Sequence, residues 1–483
     1  MSGARGRKKR VVVLGGGLGG LAAAALLGRA GHRVTLLEAA DYLGGKSRRL
    51  VLDGQRVDTG PSLLTFPGVW DEYLLRWDAL GGRAGEASEV AGLRLLRLNE
   101  VGRYHYGGEA VPLPVPAGHE WRPAWERFAA EHGGLGPEVT RLLTTSPTDR
   151  RALPALKRLL RTYGRRLTTR DYLDSLDWLP DGLREVLAIH TLNAGVSPHR
   201  TAALYASMPA IMATDGVYVP EGGVYELVSA LERLARRAGV ELLTSEPARR
   251  VSPGRVETGD GVYEADLVVS ALDAGLLERL LGHPDPDPKS LSCSGVAIYG
   301  AVREGTTLPR GIPAHGVVLP ASPQDLYESL ERGEEPEETM AFVNRYRPGE
   351  VYPNNRDTLA VLLTAPANGK EYAPEDPFVA RELARISRTL GLDRPVTDYL
   401  EESTVLHPAY FAERGAAGGA LYGAARPFWR SGPLHRPRYA LREKPWRRPW
   451  LYRVGSSVHP GGGIPAVLGG AMISTERMLE TLG

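Results

Sequence analysis

Short apolar runs that end in glycine-rich turns and continue into helices set the rhythm of this chain. Val11 to Leu14 is β-branched and uncharged, the pattern of a strand buried on both faces of a parallel sheet. A run rich in Ala and Leu comes next, from Leu21 to Ala30, predicts a helix, and stops at Gly31. Arg33 to Leu37 then reads as a second strand. The rhythm returns twice. From Val219 the sequence VPEGGVYELVSALERLARRAGVELL predicts a glycine turn, an amphipathic helix and a new strand, and Glu264 to Leu272 predicts a further buried strand. Near the end, Leu451 to Val454 predicts a short strand, and Ala466 to Leu482 a closing helix. The pattern is that of an α/β fold whose parallel sheet is interrupted by long excursions.

The first turn carries chemistry. Gly15-Gly16-Gly17-Leu18-Gly19-Gly20 satisfies G-x-G-x-x-G through Gly15, Gly17 and Gly20. The first glycine permits the tight turn, the second lets a pyrophosphate approach the backbone, and the third lets the helix pack on the strand. The helix start, with Leu18 and Gly19, offers free amides and a dipole to two phosphates. Glu38 lies 18 residues beyond Gly20, where a carboxylate accepts hydrogen bonds from ribose hydroxyls and disfavours a 2'-phosphate. Strand, glycines, helix, strand and acid in that order argue for a dinucleotide over an ordinary glycine-rich turn. They do not separate FAD from NAD.

The segment after Glu38 makes that distinction. Asp41 to Arg49 reads DYLGGKSRR, and Asp58-Thr59-Gly60-Pro61-Ser62 closes the segment. Here the sequence resembles the flavin-dependent superfamily of amine oxidases, protoporphyrinogen oxidases and carotenoid desaturases. Gly44, Gly45 and Lys46 match the doublet that continues its FAD site, and Gly60, Pro61 and Ser62 match the turn after it. The run LYRVGSSVHPGGGIPAVLGGA from Leu451 is similar to the terminal motif of the bacterial phytoene-desaturase type of carotenoid desaturase. It departs at Ala466, where that family usually has glycine. Leu291-Ser292-Cys293-Ser294 and the turn from Val217 to Tyr225 resemble the same family.

The resemblance implies a Rossmann-like FAD-binding domain of the glutathione-reductase type. That domain is expected to be discontinuous, over 1–75, 215–290 and 445–483. An inserted α+β substrate domain is expected over 291–444, and a helical, membrane-associating region over 76–214. Gly455, Ser456, Pro460, Gly461, Gly463, Ile464 and Pro465, with Ala248, complete the expected cofactor set. The implied substrate is a long hydrophobic polyene of phytoene, lycopene or hydroxycarotenoid type, from which hydrogen is removed. A carotenoid ketolase or isomerase, an amine oxidase, and a non-enzymatic prenyl-lipid chaperone on the same scaffold are the rival readings. No second G-x-G-x-x-G follows a strand, so the substrate is expected to reduce the flavin, with oxygen or a quinone as electron acceptor.

Composition narrows the rest. In 483 residues, Lys and Arg total 59 against 57 Asp and Glu, which gives no argument for a nucleic-acid partner. The single cysteine, Cys293, excludes an internal disulfide and a Cys-x-x-Cys metal site, so no metal is expected and a cytoplasmic setting fits. The uncharged stretches Val11 to Gly28 and Val454 to Thr475 are broken by glycines, and neither reads as a spanning helix. Between Arg141 and Asp171, nine basic residues face two acids, and ALPALKRLLRTYGRRL from Ala152 to Leu167 interleaves leucines with Lys157, Arg158, Arg161, Arg165 and Arg166. Such a helix either lies on anionic lipid or presents a solvated basic face. The N-terminal RGRKKR either adds to that surface or is a disordered arm, and ERGEEPEE from Glu331 reads as an acidic exposed loop. His459 either orients its own turn or relays a proton, and Cys293 reads as a buried structural thiol.

Overall fold

Val11 and Val13 face one hydrophobic core while Val12 and Leu14 face another, as expected of a strand buried on both sides. The computed structural model describes residues 8–284, 291–423, 440–444 and 446–483; residues 5–7 of the basic N-terminal arm lie outside them. The strand Arg10–Leu14 runs parallel to Arg33–Leu37 on one side and to Leu267–Ser270 on the other. Glu241–Leu243 and Leu451–Arg453 extend the parallel sheet outward, and Ala440–Leu441 adds an antiparallel edge. Segments remote in sequence thus build one sheet.

The helix Leu18–Arg29 buries Leu21 to Leu27 against one face of this sheet, together with the helices Tyr225–Arg237 and Ile464–Leu482. Small residues make the contact close. The Cβ that Gly28 lacks would lie 2.8 Å from Val240 Cγ2. The opposite face is covered by the three-stranded meander Arg250–Ser252, Arg255–Glu257 and Val262–Glu264, whose Val251 and Val256 pack on Val12 and Val268. The predicted strand from Glu264 to Leu272 is therefore two: its start belongs to the meander, and only Leu267–Ser270 enters the parallel sheet. Asp266 makes the break, accepting from the Arg10 amide at 2.7 Å.

A seven-stranded sheet forms the second domain, in the order Leu400–Leu406, Ser294–Val302, Thr358–Ala365, Ala341–Tyr346, Gly316–Val318, Gly102–Tyr106 and Glu109–Leu113. Its last two strands come from within 76–214, for which the resemblance implies a helical region. Gly102–Tyr106 pairs parallel with Gly316–Val318, so backbone pairing draws this hairpin out of the helical region. One face carries the helix Pro377–Thr389, with Phe378, Leu383 and Ile386 on Val296, Ile298 and Val361. The other face meets the hairpin Arg48–Leu52/Gln55–Thr59 through Tyr299, Leu52 and Val57.

The helical body includes Arg122–His132, Leu153–Tyr163, Thr169–Asp174 and Met208–Asp215. A buried network ties these helices together. His132 Nδ1 meets Ser207 Oγ at 2.6 Å and its Nε2 meets Tyr172 Oη at 2.9 Å, while Tyr163 Oη also bonds Ser207 Oγ. No helix among the described residues is long and apolar enough to cross a membrane.

Candidate functional site: a glycine cradle at the sheet's carboxyl edge

Three glycine-rich turns meet where the parallel strands end. The first is the fingerprint. Gly15 has φ +96° and donates to Leu37 O at 2.8 Å, while Gly17 is the N-cap of the helix Leu18–Arg29, with no side-chain cap. That helix starts at Leu18 and not Leu21, so Gly19 and Gly20 lie in its first turn. Its leading amides are left for a ligand. Next to Gly17 there is open space, because a Cβ there would find nothing nearer than Gly45 Cα at 3.9 Å.

The second turn is the doublet. Gly44 donates to Gly16 O at 2.8 Å, and Gly17 and Gly44 form an isolated parallel bridge. A Cβ on Gly45 would stand 3.1 Å from Gly17 Cα. Lys46 comes next, its Nζ donating to Ala420 O at 3.1 Å and Leu421 O at 2.5 Å. Its solvent-accessible surface is that of an exposed residue, although protein atoms surround its ammonium. Burial pushes its ammonium below the usual lysine range, and the nearby Asp273 charge opposes that shift. Gly60, at φ +88°, donates to Tyr299 Oη at 3.1 Å, and Ser62 O accepts from Tyr346 Oη at 3.4 Å. Gly60, Pro61 and Ser62 thereby join the cradle to the seven-stranded sheet.

The third turn is C-terminal. Gly455, Gly461 and Gly463 have φ of +88°, +128° and +88°, and Gly463 is the uncapped N-cap of the helix Ile464–Leu482, with Pro465 in its first turn. This helix starts two residues before the predicted Ala466. The turn approaches the fingerprint closely, since a Cβ on Gly19 would lie 3.0 Å from Gly455 Cα. Ser456, His459 and Pro460 are half-buried in it, and His459–Pro460 is a cis peptide.

Glu38 closes the other end of the cradle. Its carboxylate accepts from Gly16 N at 2.6 Å and Ala40 N at 2.8 Å, which leaves a lone pair on each oxygen for a ligand hydroxyl. Glu246 N donates to Glu38 O at 2.8 Å, which brings Ala248, two residues on, to the same end. Uncapped amides at two helix starts, a bare backbone at Gly17 and a carboxylate with spare acceptors form the donor and acceptor set that a flavin dinucleotide needs.

Tyr422, Tyr104, His190, His315 and Asn344 carry no sequence signature. A Cβ on Gly462 would lie 2.5 Å from the Tyr422 ring, and one on Gly195 would lie 2.7 Å from both Tyr422 and Ser292. Burial pushes the Cys293 thiol up to about 12. On the seven-stranded sheet, Tyr104 Oη bonds His190 Nε2 at 2.8 Å, and His315 Nδ1 lies 2.8 Å from Asn344 Nδ2. Burial depresses both histidines, His190 to about 3 and His315 to about 4. Among the described residues no group of His, Cys, Asp and Glu is arranged to hold a metal ion.

Residues 13–74 match the NAD(P)-binding Rossmann-like domain, and residues 124–471 match the family of flavin containing amine oxidoreductases. The chain belongs to that family. Its relatives match it over nearly its whole length. A zeta-carotene-forming phytoene desaturase of Myxococcus xanthus is 28% identical over 98% of this chain and 94% of its own length. A hydroxyneurosporene desaturase of Cereibacter sphaeroides is 30% identical over 98% of both. Among solved structures, putrescine oxidase bound to putrescine has a TM-score of 0.62 at 17% identity, over 98% of both chains. Cyclohexylamine oxidase from Brevibacterium oxydans has a TM-score of 0.58 at 14%, over 98% of this chain and 99% of that one. These two likenesses establish the family's fold.

Proposed function

We propose that the protein is an FAD-dependent carotenoid desaturase, removing hydrogen from a long polyene so that its conjugation is extended. The observation that carries this reading is the meeting of the fingerprint, the Gly44-Gly45 doublet and the Gly455 to Pro465 turn at one sheet edge, in a chain whose full-length relatives include desaturases of phytoene and hydroxyneurosporene. When bound, the flavin supplies the hydride acceptor. The chain's own residues bind and exclude. Amides at Leu18, Gly19 and Gly20 and at the start of the Ile464 helix hold the phosphates, and Glu38 accepts from the ribose. Gly44, Gly45, Lys46, Gly60, Pro61, Ser62, Gly455, Ser456, Pro460, Gly461, Gly463 and Pro465 line the flavin half, with Ala248 at the adenine. The seven-stranded sheet and the helical body supply apolar walls for the polyene.

A nearly insoluble substrate has to be drawn from a bilayer, and one face suits that. Leu153, Leu160 and Leu167 are 58%, 68% and 56% exposed, beside exposed Lys157, Arg161, Arg165 and Arg166. The helix Leu153–Tyr163 buries Ala155, Leu159 and Tyr163 inward, which leaves Leu153 and Leu160 on its outward face. Arg158 is not part of this face, since it bonds Glu138 at 2.8 Å. We read the patch as a peripheral membrane contact. Electrons then pass to oxygen or a quinone.

The test is incubation of the flavin-loaded protein with phytoene, lycopene or a hydroxylated carotenoid in liposomes, and then absorption spectroscopy. A shift of the polyene bands to longer wavelength is expected for at least one substrate. Unchanged spectra across the panel would remove the desaturase reading.

A further inference from the structure

The strand Leu267–Ser270 hands over through Ala271 and Leu272 to Asp273, beside the fingerprint turn, and a Cβ on Gly15 would lie 3.1 Å from Leu272 Cδ2. Asp273 caps the short helix Ala274–Leu280, its Oδ1 accepting from the Gly275 amide at 3.1 Å. Its other oxygen, Oδ2, is buried and has no hydrogen-bond partner among the described residues. A buried carboxylate oxygen without a donor is costly, and such an atom is retained where something outside the chain supplies the donor.

Lys46 lies across from it without touching it. Two of the three ammonium N–H groups are directed at Ala420 O and Leu421 O, so one is left. The Asp273 charge acts on the Lys46 ammonium, so one donor and one acceptor lie near each other without a direct bond. A hydroxyl satisfies both, accepting from the ammonium and donating to the carboxylate. The pair belongs to the cofactor cleft. A Cβ on Gly423 would lie 3.6 Å from Asp273 Oδ2 and 3.7 Å from Ser457 Oγ, and Ala274 N donates to Ser457 Oγ at 3.0 Å. The C-terminal turn from Gly455 to Pro465 holds no acidic residue of its own. Asp273 is the carboxylate that the neighbouring strand brings to it.

We propose that Asp273 is a cofactor-binding residue, its Oδ2 accepting a hydrogen bond from a hydroxyl of the flavin's ribityl chain, with Lys46 donating to the same group. This rests on the flavin reading of the cleft.

Asp273→Asn isolates the role. Asparagine keeps the cap through its own Oδ1 and places an N–H₂ donor where the acceptor stood. Apoprotein is titrated separately with FAD and with ADP, which has the adenosine and pyrophosphate but no ribityl chain. For the variant, the Kd for FAD is expected to rise by about ten- to a hundred-fold, the effect of one lost hydrogen bond to a charged group, while the Kd for ADP changes by less than about two-fold. Asp273→Ser keeps a capping oxygen, one bond closer to the backbone, and removes the carboxylate, and should weaken FAD in the same selective way. Unchanged FAD affinity in Asp273→Asn would overturn the assignment, and so would equal weakening of FAD and ADP. Wild-type apoprotein that binds ADP but not FAD would overturn the flavin reading itself.

Discussion

The Cβ that Gly20 lacks would stand 2.0 Å from the carbonyl oxygen of Gly15. Gly15 is held by the end of its strand and Gly20 by the first turn of the helix Leu18–Arg29, so no side-chain rotation relieves the clash. Gly20→Ala is expected to destabilise the protein by at least ~3 kcal/mol or to leave it insoluble. The thermal midpoint and soluble yield of the variant check this. A fall of less than a few degrees would mean that the helix Leu18–Arg29 can shift off its strand.

Gly17 makes the opposite case. Its φ of −69° suits any residue, and its missing Cβ would meet nothing closer than 3.9 Å. Gly17→Ala should therefore leave stability within about 1 kcal/mol of wild type. It should still lose flavin, because the methyl occupies the space through which the pyrophosphate reaches the backbone. The flavin-to-protein absorbance ratio after purification, read beside an unchanged unfolding curve, separates the two effects.

The contrast between these glycines explains what can be read in the sequence. Close backbone approach leaves a residue-level trace, so the fingerprint, the doublet and the C-terminal turn are all legible, and they do converge. Strand pairing over long separations leaves none. Gly102–Tyr106 alternates Tyr, His and Arg in a run of five, and only its pairing with Gly316–Val318 makes it a strand. The same holds for chemistry. Asp273 is one aspartate before a short helix, and its unpartnered oxygen emerges only once Lys46 and Ser457 are folded around it. The Tyr104–His190 bond spans 86 residues and has no motif.

Three buried histidines set a pH dependence. Burial lowers His132 to about 4, His190 to about 3 and His315 to about 4. Each is lower folded than unfolded, where histidine titrates near ~6.5, so below that pH the unfolded chain binds more protons. Their contribution is complete above about pH 6.5 and is lost as pH falls towards 4, at about 1.4 kcal/mol per pH unit for each group. The urea midpoint should be level from pH 7 to 8 and drop steeply by pH 5. His132→Gln, compared at both pH values, should shrink that drop by the share of one group, about 2 kcal/mol between pH 6.5 and 5.

Cys293 is buried, and its thiol is pushed up to about 12, so it is protonated at neutral pH. Native protein is expected to resist alkylation by iodoacetamide at pH 7.5, and acid precipitation should release all the flavin into the supernatant. Flavin retained on the precipitated chain, and lost from Cys293→Ser, would assign the thiol a covalent attachment.

The exposed leucines give a test that is independent of the cofactor. Leu153 and Leu160 lie seven residues apart on the outward face of one helix, with Lys157 and Arg161 between and beside them. Both are more than half exposed, so Leu153→Ser with Leu160→Ser should change the thermal midpoint by no more than a degree or two. On vesicles containing anionic lipid, apolar burial and charge attraction act together, and removing two leucines forfeits about 1.5–3 kcal/mol of burial each where they insert fully. Flotation of the double variant is expected to fall by at least about ten-fold, while FAD content and activity on detergent-dispersed substrate stay at wild-type levels. Replacing Lys157 and Arg161 with glutamine should reduce flotation on anionic but not neutral vesicles, because only the charge term is removed. Flotation unchanged in both variants would leave this helix a solvated one, and substrate would have to enter the cleft from another face.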